Sequence, residues 1–357
     1  MDGSALVVYP IFNERPSEEY IQGWHRHMDE TGSPETYENV STNKPDALEN
    51  VVLLSGELQV PPAKRLGNRL VPCPICSPTT PKFSKGRMAW FPDEQTVRFI
   101  GHDCAARHFG ENYRIADRRY KIEQRCRFYQ HMWRNFEPRI DGLEQFIDAL
   151  MPVAKAVQFT REHLDGNADG FAAFLRGELS RHDGRIFIKE DTGARDRGQI
   201  IFSDVLLGVV DGLTFISRNF RPHSTLLSIL DVCADIRMPL PTWQPIDGDN
   251  DTAKEIIGRG RRAEWMLKTL RSLRDDIQDA TQFLRDKNLA LLEQWGRNDQ
   301  SPFISLVFRW EGIGVHLRAE TYVGAYYCNM VVLDDFYGKP IPSALSPALD
   351  PLTSTPV

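Results

Sequence analysis

Cys73 and Cys76 stand three residues apart in Cys73-Pro74-Ile75-Cys76, a spacing at which two thiolates bite one ion from a tight turn. Farther on, Gly101-His102-Asp103-Cys104-Ala105-Ala106-Arg107-His108 places Cys104 and His108 four residues apart. On a helix these two side chains project from one face. His102 is a second imidazole in the stretch and stays open as the alternative to His108. Cys73, Cys76, Cys104 and His108 are four soft-to-borderline donors, the set a closed tetrahedral zinc site uses. Four protein ligands leave no open position for water, so the expected role is structural. The other cysteines, Cys126, Cys233 and Cys328, are scattered and form no paired framework. Free thiols of this kind fit a reducing compartment, and a cytoplasmic protein is expected.

Positioning the four ligands takes a turn, a hairpin and a helix. Gly86 to Phe91 and Gln95 to Ile100 read as short strands around Pro92-Asp93-Glu94. Asp103 sits where a carboxylate can cap free N–H groups at the start of the helix. Knuckle, hairpin and two ligands in the first turns of a helix is an order that resembles a treble-clef zinc finger, over about residues 70–110 only. Ser77 follows the knuckle where such fingers often carry glycine. The resemblance implies a zinc cofactor; it implies no activity, since fingers of this kind serve nucleic-acid binding, protein binding and purely structural ends.

The helix expected next is basic. Arg114, Arg118, Arg119, Lys121, Arg125, Arg127 and Arg134 alternate with Tyr113, Tyr120, Phe128, Tyr129 and Trp133. Cations release counterions from phosphates and aromatic rings stack on bases, so DNA or RNA is one expected partner. A second cluster, Arg259, Arg261, Arg262, Lys268, Arg271 and Arg274, lies far downstream. Acids such as Glu123, Glu264 and Asp275 give the alternative of a solvated helix flank. Net charge is -6, but its distribution is uneven. Residues 1–60 hold eleven acids and three bases, and residues 61–139 hold sixteen bases and seven acids.

Apolar content of 41% and charged content of 26% are those of an ordinary globular protein. No apolar run is long enough for a membrane helix, and Met1-Asp2-Gly3 does not read as a signal peptide. The expected organisation has seven parts. An acidic segment spans 1–60, with a strand over Ala5 to Tyr9 and a helix from Ser17 to about Asp29. The finger spans 61–112. First long helices span 113–165, with the apolar spacing Ile122, Cys126, Tyr129, Trp133, Phe136, a break at Pro138, then Ile140, Leu143, Ile147, Leu150, Ala154 and Val157. A small α+β insert spans 166–251, in which Ile200-Ile201-Phe202 and Val205 to Phe215 read as too apolar for exposure and 190–198 as a mobile loop. A second long helix spans 252–297, with Met266, Leu270, Leu273, Ile277, Ala280, Leu284 and Leu291 in its seam. A C-terminal antiparallel β element spans 302–338. A proline-rich disordered tail spans 339–357. The fold class is α+β, multidomain and mostly helical, its two seams forming a long antiparallel, coiled-coil-like hairpin.

No catalytic constellation stands out. Gly258-Arg259-Gly260-Arg261 lacks phosphate-loop spacing. His182-Asp183 lacks the further histidines of a phosphohydrolase site. Asp334-Asp335 reads as surface acids. Cys233 and His223 are weakly placed as a nucleophile pair. The function expected is a non-enzymatic zinc protein that contacts nucleic acid through the helix after the finger. Alternatives are a scaffold that binds a protein partner or self-associates through its helices, and an enzyme with its site in 166–251.

Overall fold

A computed structural model of the chain describes residues 12–46, 50–245 and 250–351. The expected strand over Ala5 to Tyr9 lies outside the described residues. The chain divides into two compact units, Met1–Phe128 with Trp243–Ala253, and Tyr129–Thr242 with Lys254–Val357. The class is α+β, built from helices and small antiparallel sheets.

The first unit contains α1 (Glu18–Thr31), β1 (Val52–Leu53), β2 (Leu58–Gln59), β3 (Val71–Cys73), β4 (Ser77–Phe83), β5 (Lys85–Phe91), β6 (Thr96–Gly101), α2 (His102–Phe109) and the start of α3 (Glu111–Phe136). Ser17 caps α1 as its spacing predicts: its hydroxyl accepts from the Tyr20 N–H, 3.3 Å away. Gly32 ends the helix at φ 65°, a left-handed conformation that glycine adopts without strain. Strand β5 is central. It pairs with β6 on one edge and with β1 and β2 on the other.

Both faces of this sheet are covered. Met88, Val97 and Phe99 pack with Ile21, Trp24 and Met28 of α1. Ala89, Phe91 and Ile100 pack with Ala105, Phe109, Tyr113 and Ala116 of α2 and α3. This is the period-two pattern of β5 and β6 read onto two layers. Burial of each large apolar side chain is worth roughly 1.5–3 kcal/mol, so the α2 face fixes where that helix begins. Gly86 pairs with Gly101. A Cβ at Gly86 would lie 2.6 Å from both the Ile100 carbonyl oxygen and the Phe83 ring, so the Phe83 ring closes over a spot only glycine leaves open.

The second unit contains the rest of α3, α4 (Ile140–Asn167), α5 (Phe171–Leu179), β7 (Arg185–Asp196), β8 (Gln199–Val209), α6 (Pro222–Ile236), most of α7 (Asn250–Ala280), α8 (Asp286–Gly296), β9 (Phe303–Glu311), β10 (Gly314–Thr321), β11 (Gly324–Val331) and α9 (Asp334–Tyr337). Helices α3 and α4 part at Pro138, as expected. Ile140, Leu143, Ile147, Leu150, Ala154 and Val157 are all buried. Helix α4 packs chiefly on α6 and β11. Gln158 ties it to α6 by donating to the Ser224 hydroxyl at 3.0 Å and accepting the Ser224 N–H at 3.0 Å. The expected C-terminal β element is a three-stranded meander, β9–β10–β11.

Three expectations need correction here. The second long helix is not continuous over 252–297; it ends at Ala280 and resumes at Asp286. Buried Asn288 holds the break by donating to the carbonyls of Asp211 (2.7 Å), Gln282 (2.9 Å) and Phe283 (3.3 Å), while its carbonyl accepts the Asp211 N–H at 3.2 Å. A heptad count does not register an asparagine that caps a bend. Next, 190–198 belongs to a long β7–β8 hairpin, and Ile200, Ile201, Phe202, Val205 and Leu206, expected to be buried, are exposed. Lastly, the described part of the proline-rich tail, 339–351, is packed. Asp350 is buried and ion-paired to Arg271, Arg139 donates to the Ala348 carbonyl at 2.9 Å, and Arg274 donates to the Pro342 carbonyl at 3.0 Å. Proline-rich chain with little apolar content cannot make a core, but its carbonyls remain good acceptors for arginine.

Candidate metal centre

Strand β3 delivers Cys73 and turns at Pro74-Ile75. Buried Ile75 anchors that turn in the core on the α2 face of the sheet. The chain returns along β4, whose first residue, Ser77, pairs with Cys73. Cys76 is left at the tip. The β5–β6 hairpin then leads into α2, and Cys104 is that helix's third residue. The ligating sulfurs of Cys73, Cys76 and Cys104 all lie within 4.8 Å of one another. The sulfurs of Cys76 and Cys104 are 3.1 Å apart. Three thiolates on one tetrahedral ion stand about 3.8 Å apart, given metal–sulfur bonds near 2.3 Å. The cluster is close to that spacing.

Its electrostatics are those of thiols sharing protons. Burial and the two neighbouring thiols push Cys104 up to about 12. Cys76 is moved the other way. Burial opposes its ionisation, but hydrogen bonds from Cys104 and Cys73 and the Lys82 ammonium hold its thiol below the ordinary range. The Lys82 nitrogen is 3.9 Å from the Cys76 sulfur. A cation bound among the three sulfurs would replace those protons, and its own charge would stabilise all three thiolates. Cys73 is fully buried, while Cys76 and Cys104 are partly exposed, so the cluster opens to solvent on one side.

The expected fourth ligand is not there. His108 is exposed and does not join the cluster. Spacing of four on a helix lets two ligands share one ion, but here the His108 side chain is exposed and its ring lies outside the group of three sulfurs. The alternative, His102, is engaged elsewhere: its Nδ1 lies 3.1 Å from the Tyr113 hydroxyl and 3.3 Å from a Glu57 carboxylate oxygen. Asp103 makes no cap; Gly101 holds that position without a side-chain bond. Among the described residues, the cluster therefore brings together three cysteine sulfurs and no histidine.

Helix α3 separates its basic and aromatic residues. Arg114, Arg118, Lys121 and Arg125, at spacings of four, three and four, form one exposed stripe, with exposed Arg119 beside it. Glu111 pairs with Arg114 (3.3 Å) and Arg118 (3.8 Å), and Asp117 pairs with Lys121 at 2.7 Å. Arg127 is half-buried and tied to Glu18 and Glu123. Tyr113, Tyr129 and Trp133 are buried, so most of the interleaved aromatics are core rather than stacking surface. Of the downstream cluster, Arg261 and Arg262 are exposed, with Arg262 2.8 Å from Asp235. Arg259 is buried against Asp235 and the Trp133 ring. That cluster belongs to the second unit.

Sequence spacing missed one feature of the first unit. Trp90, Tyr120 and Trp243 line a cavity of about 770 Å³ together with Arg119 and the Arg15–Glu123 ion pair (2.7 Å). The Trp90 indole nitrogen is buried there without a hydrogen-bond partner. Its components come from five separate stretches of chain, which no local pattern joins.

The catalytic candidates are not brought together. His182 rests edge-on against Phe187, and Asp183 occupies a left-handed turn. Cys233 is buried 3.5 Å from the Met266 sulfur. A second cavity, about 860 Å³, lies between α3 and 236–242, but its Arg237 is committed to Asp141 and Glu144. Among the described residues, Cys73, Cys76 and Cys104 are the one cluster with metal-binding geometry, and no helix is long and apolar enough to cross a membrane. No protein-family model, no curated protein and no solved structure matches the chain.

Proposed function

We propose that the chain is a zinc-binding, nucleic-acid-contacting protein, in which a treble-clef-like finger aims the basic face of α3 at a phosphate backbone. The metal half of this reading rests on the three converging sulfurs, whose all-thiolate character suits zinc. The order β3–knuckle–β4, β5–β6 hairpin, α2 supports the finger. With the fourth position left to water or another small ligand, the role of the ion is to hold the knuckle to the head of α2. Six cysteines without a disulfide support a reducing, cytoplasmic setting.

The nucleic-acid half is carried by one observation: Arg114, Arg118, Lys121 and Arg125 share one exposed face directly after the site. Neutralising phosphates with such a face supplies sequence-independent affinity. Tyr120, Trp90 and Trp243 beside Arg119 supply rings on which an unpaired base can stack. Single-stranded DNA or RNA is therefore favoured over duplex. The alternative of partner binding through the helical seams lacks a free surface, because the seam residues from Ile140 to Val157 and from Met266 to Leu284 are buried within the chain.

The test is fluorescence anisotropy of labelled single-stranded and duplex oligonucleotides at low salt. Binding that weakens at least tenfold on replacing Arg118, Arg119 and Arg125 with Glu supports the reading. Absence of binding at low salt, or indifference to those replacements, sinks it.

A further inference from the structure

The outer face of the β9–β10–β11 meander gathers positive charge that the fold does not neutralise. Leu306, Phe308, Leu317, Ala319, Cys328 and Met330 are buried, and the residues alternating with them form the opposite face. Register sets that face in rows. Arg309 stands opposite His316 and His316 opposite Asn329; in the next row Val307 stands opposite Arg318 and Arg318 opposite Tyr327. Arg309 and Arg318 are therefore diagonal neighbours, a spacing of roughly 7–8 Å that long side chains bridge. Both are exposed.

This face bounds a cavity of about 520 Å³, whose lining includes Ser305, Arg309, His316, Arg318, Tyr327 and Asn329. Its size is in the range that holds small-molecule ligands. No carboxylate lines it, although the chain carries 49 acids against 43 lysines and arginines. Elsewhere in the second unit arginines are matched: Arg161 pairs with Asp165, Arg237 with Glu144 and Arg262 with Asp235. Among the described residues, Arg309 has no ion-pair or hydrogen-bond partner, and Arg318 has only the Tyr327 ring, 5.7 Å from its guanidinium carbon. Glu311, at the end of β9, is held by His316, whose Nε2 is 2.7 Å away. Glu320 stands one row beyond Arg318, opposite Ser305 and Ala325.

We propose that this cavity binds the phosphate group of a small phosphomonoester. Each guanidinium offers a planar fork of N–H donors. A carboxylate has one pair of oxygens and satisfies one fork. A phosphomonoester has three free oxygens and a charge of about −1.5 to −2 at neutral pH, so it satisfies two forks and balances two cations. The diester of a nucleic-acid backbone has two free oxygens and a single charge, a poorer match. The Asn329 carboxamide and the Ser305 hydroxyl add neutral donors. A bare phosphate leaves most of the cavity empty, and Val307 and the Tyr327 ring give an organic group an apolar wall. The site lies in the second unit and does not depend on the nucleic-acid reading of α3.

Calorimetric titration of the full chain with phenyl phosphate tests the proposal. The expected result is saturable binding at one site with a dissociation constant below about 1 mM. Arg309→Gln and Arg318→Gln should each weaken it at least about tenfold, because each removes a charge-assisted fork. Arg218→Gln, at an exposed arginine that does not line the cavity, should leave it unchanged. Circular dichroism of all three variants should match the wild type, since these side chains are exposed. Phenyl sulfate, a monoanion of similar shape, should bind at least about tenfold more weakly. Absence of saturable phenyl phosphate binding in the millimolar range overturns the proposal. So does binding that ignores both cavity replacements, or that Arg218→Gln weakens equally, which would mark a general charge effect. Capture of a single-stranded oligonucleotide through Arg309 and Arg318 in place of phenyl phosphate would also overturn it, by assigning this face to a phosphodiester backbone.

Discussion

The sulfurs of Cys76 and Cys104 stand 3.1 Å apart although 28 residues of chain separate them. That closeness is set by the sheet between them. Strand β4 carries the chain away from Cys76, and the β5–β6 hairpin brings it back to the head of α2. Ile75 and Ala105, neighbours of the two ligands, are buried in the same core, so packing alone brings the thiols near each other. A metal ion then has little chain entropy left to overcome.

The ligand set is open to direct test. Cys73→Ser, Cys76→Ser and Cys104→Ser should each abolish stoichiometric zinc and lower the thermal midpoint of the first unit. His108→Ala should retain full zinc content. Atomic absorption on purified variants decides between three and four protein ligands: loss of zinc in His108→Ala would restore the histidine to the site.

Salt should govern oligonucleotide affinity. For contacts with single strands, the logarithm of the binding constant falls with the logarithm of salt at about −0.7 per phosphate neutralised. Replacing Arg125, whose side chain is exposed, with Gln should make that slope shallower by roughly one contact. Replacing half-buried Arg127 should instead cost stability, because its partner Glu123 is buried. Equal salt slopes for the wild type and Arg125→Gln would remove Arg125 from the interface.

Asn288 should be a stability residue. Its truncation to Ala leaves the carbonyls of Gln282 and Phe283 and both backbone groups of Asp211 without their partner. A cost of about 2–4 kcal/mol is expected from buried groups left unsatisfied. Gly212 beside it is at φ 81°, and a Cβ there would lie 2.4 Å from the Phe283 nitrogen, so Gly212→Ala should be comparably damaging. Urea unfolding of both variants measures this; losses under 1 kcal/mol would mean that the bend at 281–285 is held by something else.

Alkaline pH should destabilise the protein through thiols outside the cluster. Burial pushes Cys233 from the ordinary 9.0 up to about 12, and Cys126 and Cys328 up to about 11. A raised thiol value means that the folded state holds protons the unfolded state has released. The contribution is complete below pH 9 and is lost as pH rises through the folded values. Each such thiol steepens the decline by up to about 1.4 kcal/mol per pH unit. Cys233→Ala should flatten the decline between pH 9 and 11 relative to wild type, as read by denaturant melts; parallel curves would contradict a buried, protonated Cys233.

What sequence alone determined was local. Ser17 starts α1, Pro138 separates α3 from α4, and period-two alternation marks β5, β6 and the C-terminal meander, because caps, proline sterics and pleat alternation act within a few residues. The three clustered cysteines were legible for the same reason, through the knuckle spacing and the expected hairpin. Tertiary structure decided the rest. His108 meets the helical spacing, but its ring lies outside the group of three sulfurs, a placement that spacing alone does not fix. Asn288 bends a helix through partners as far off as Asp211. The apolar residues of β8 carry a core-like composition onto an exposed ribbon, because burial depends on what the fold places opposite a strand, and that is set by contacts between residues far apart in the chain.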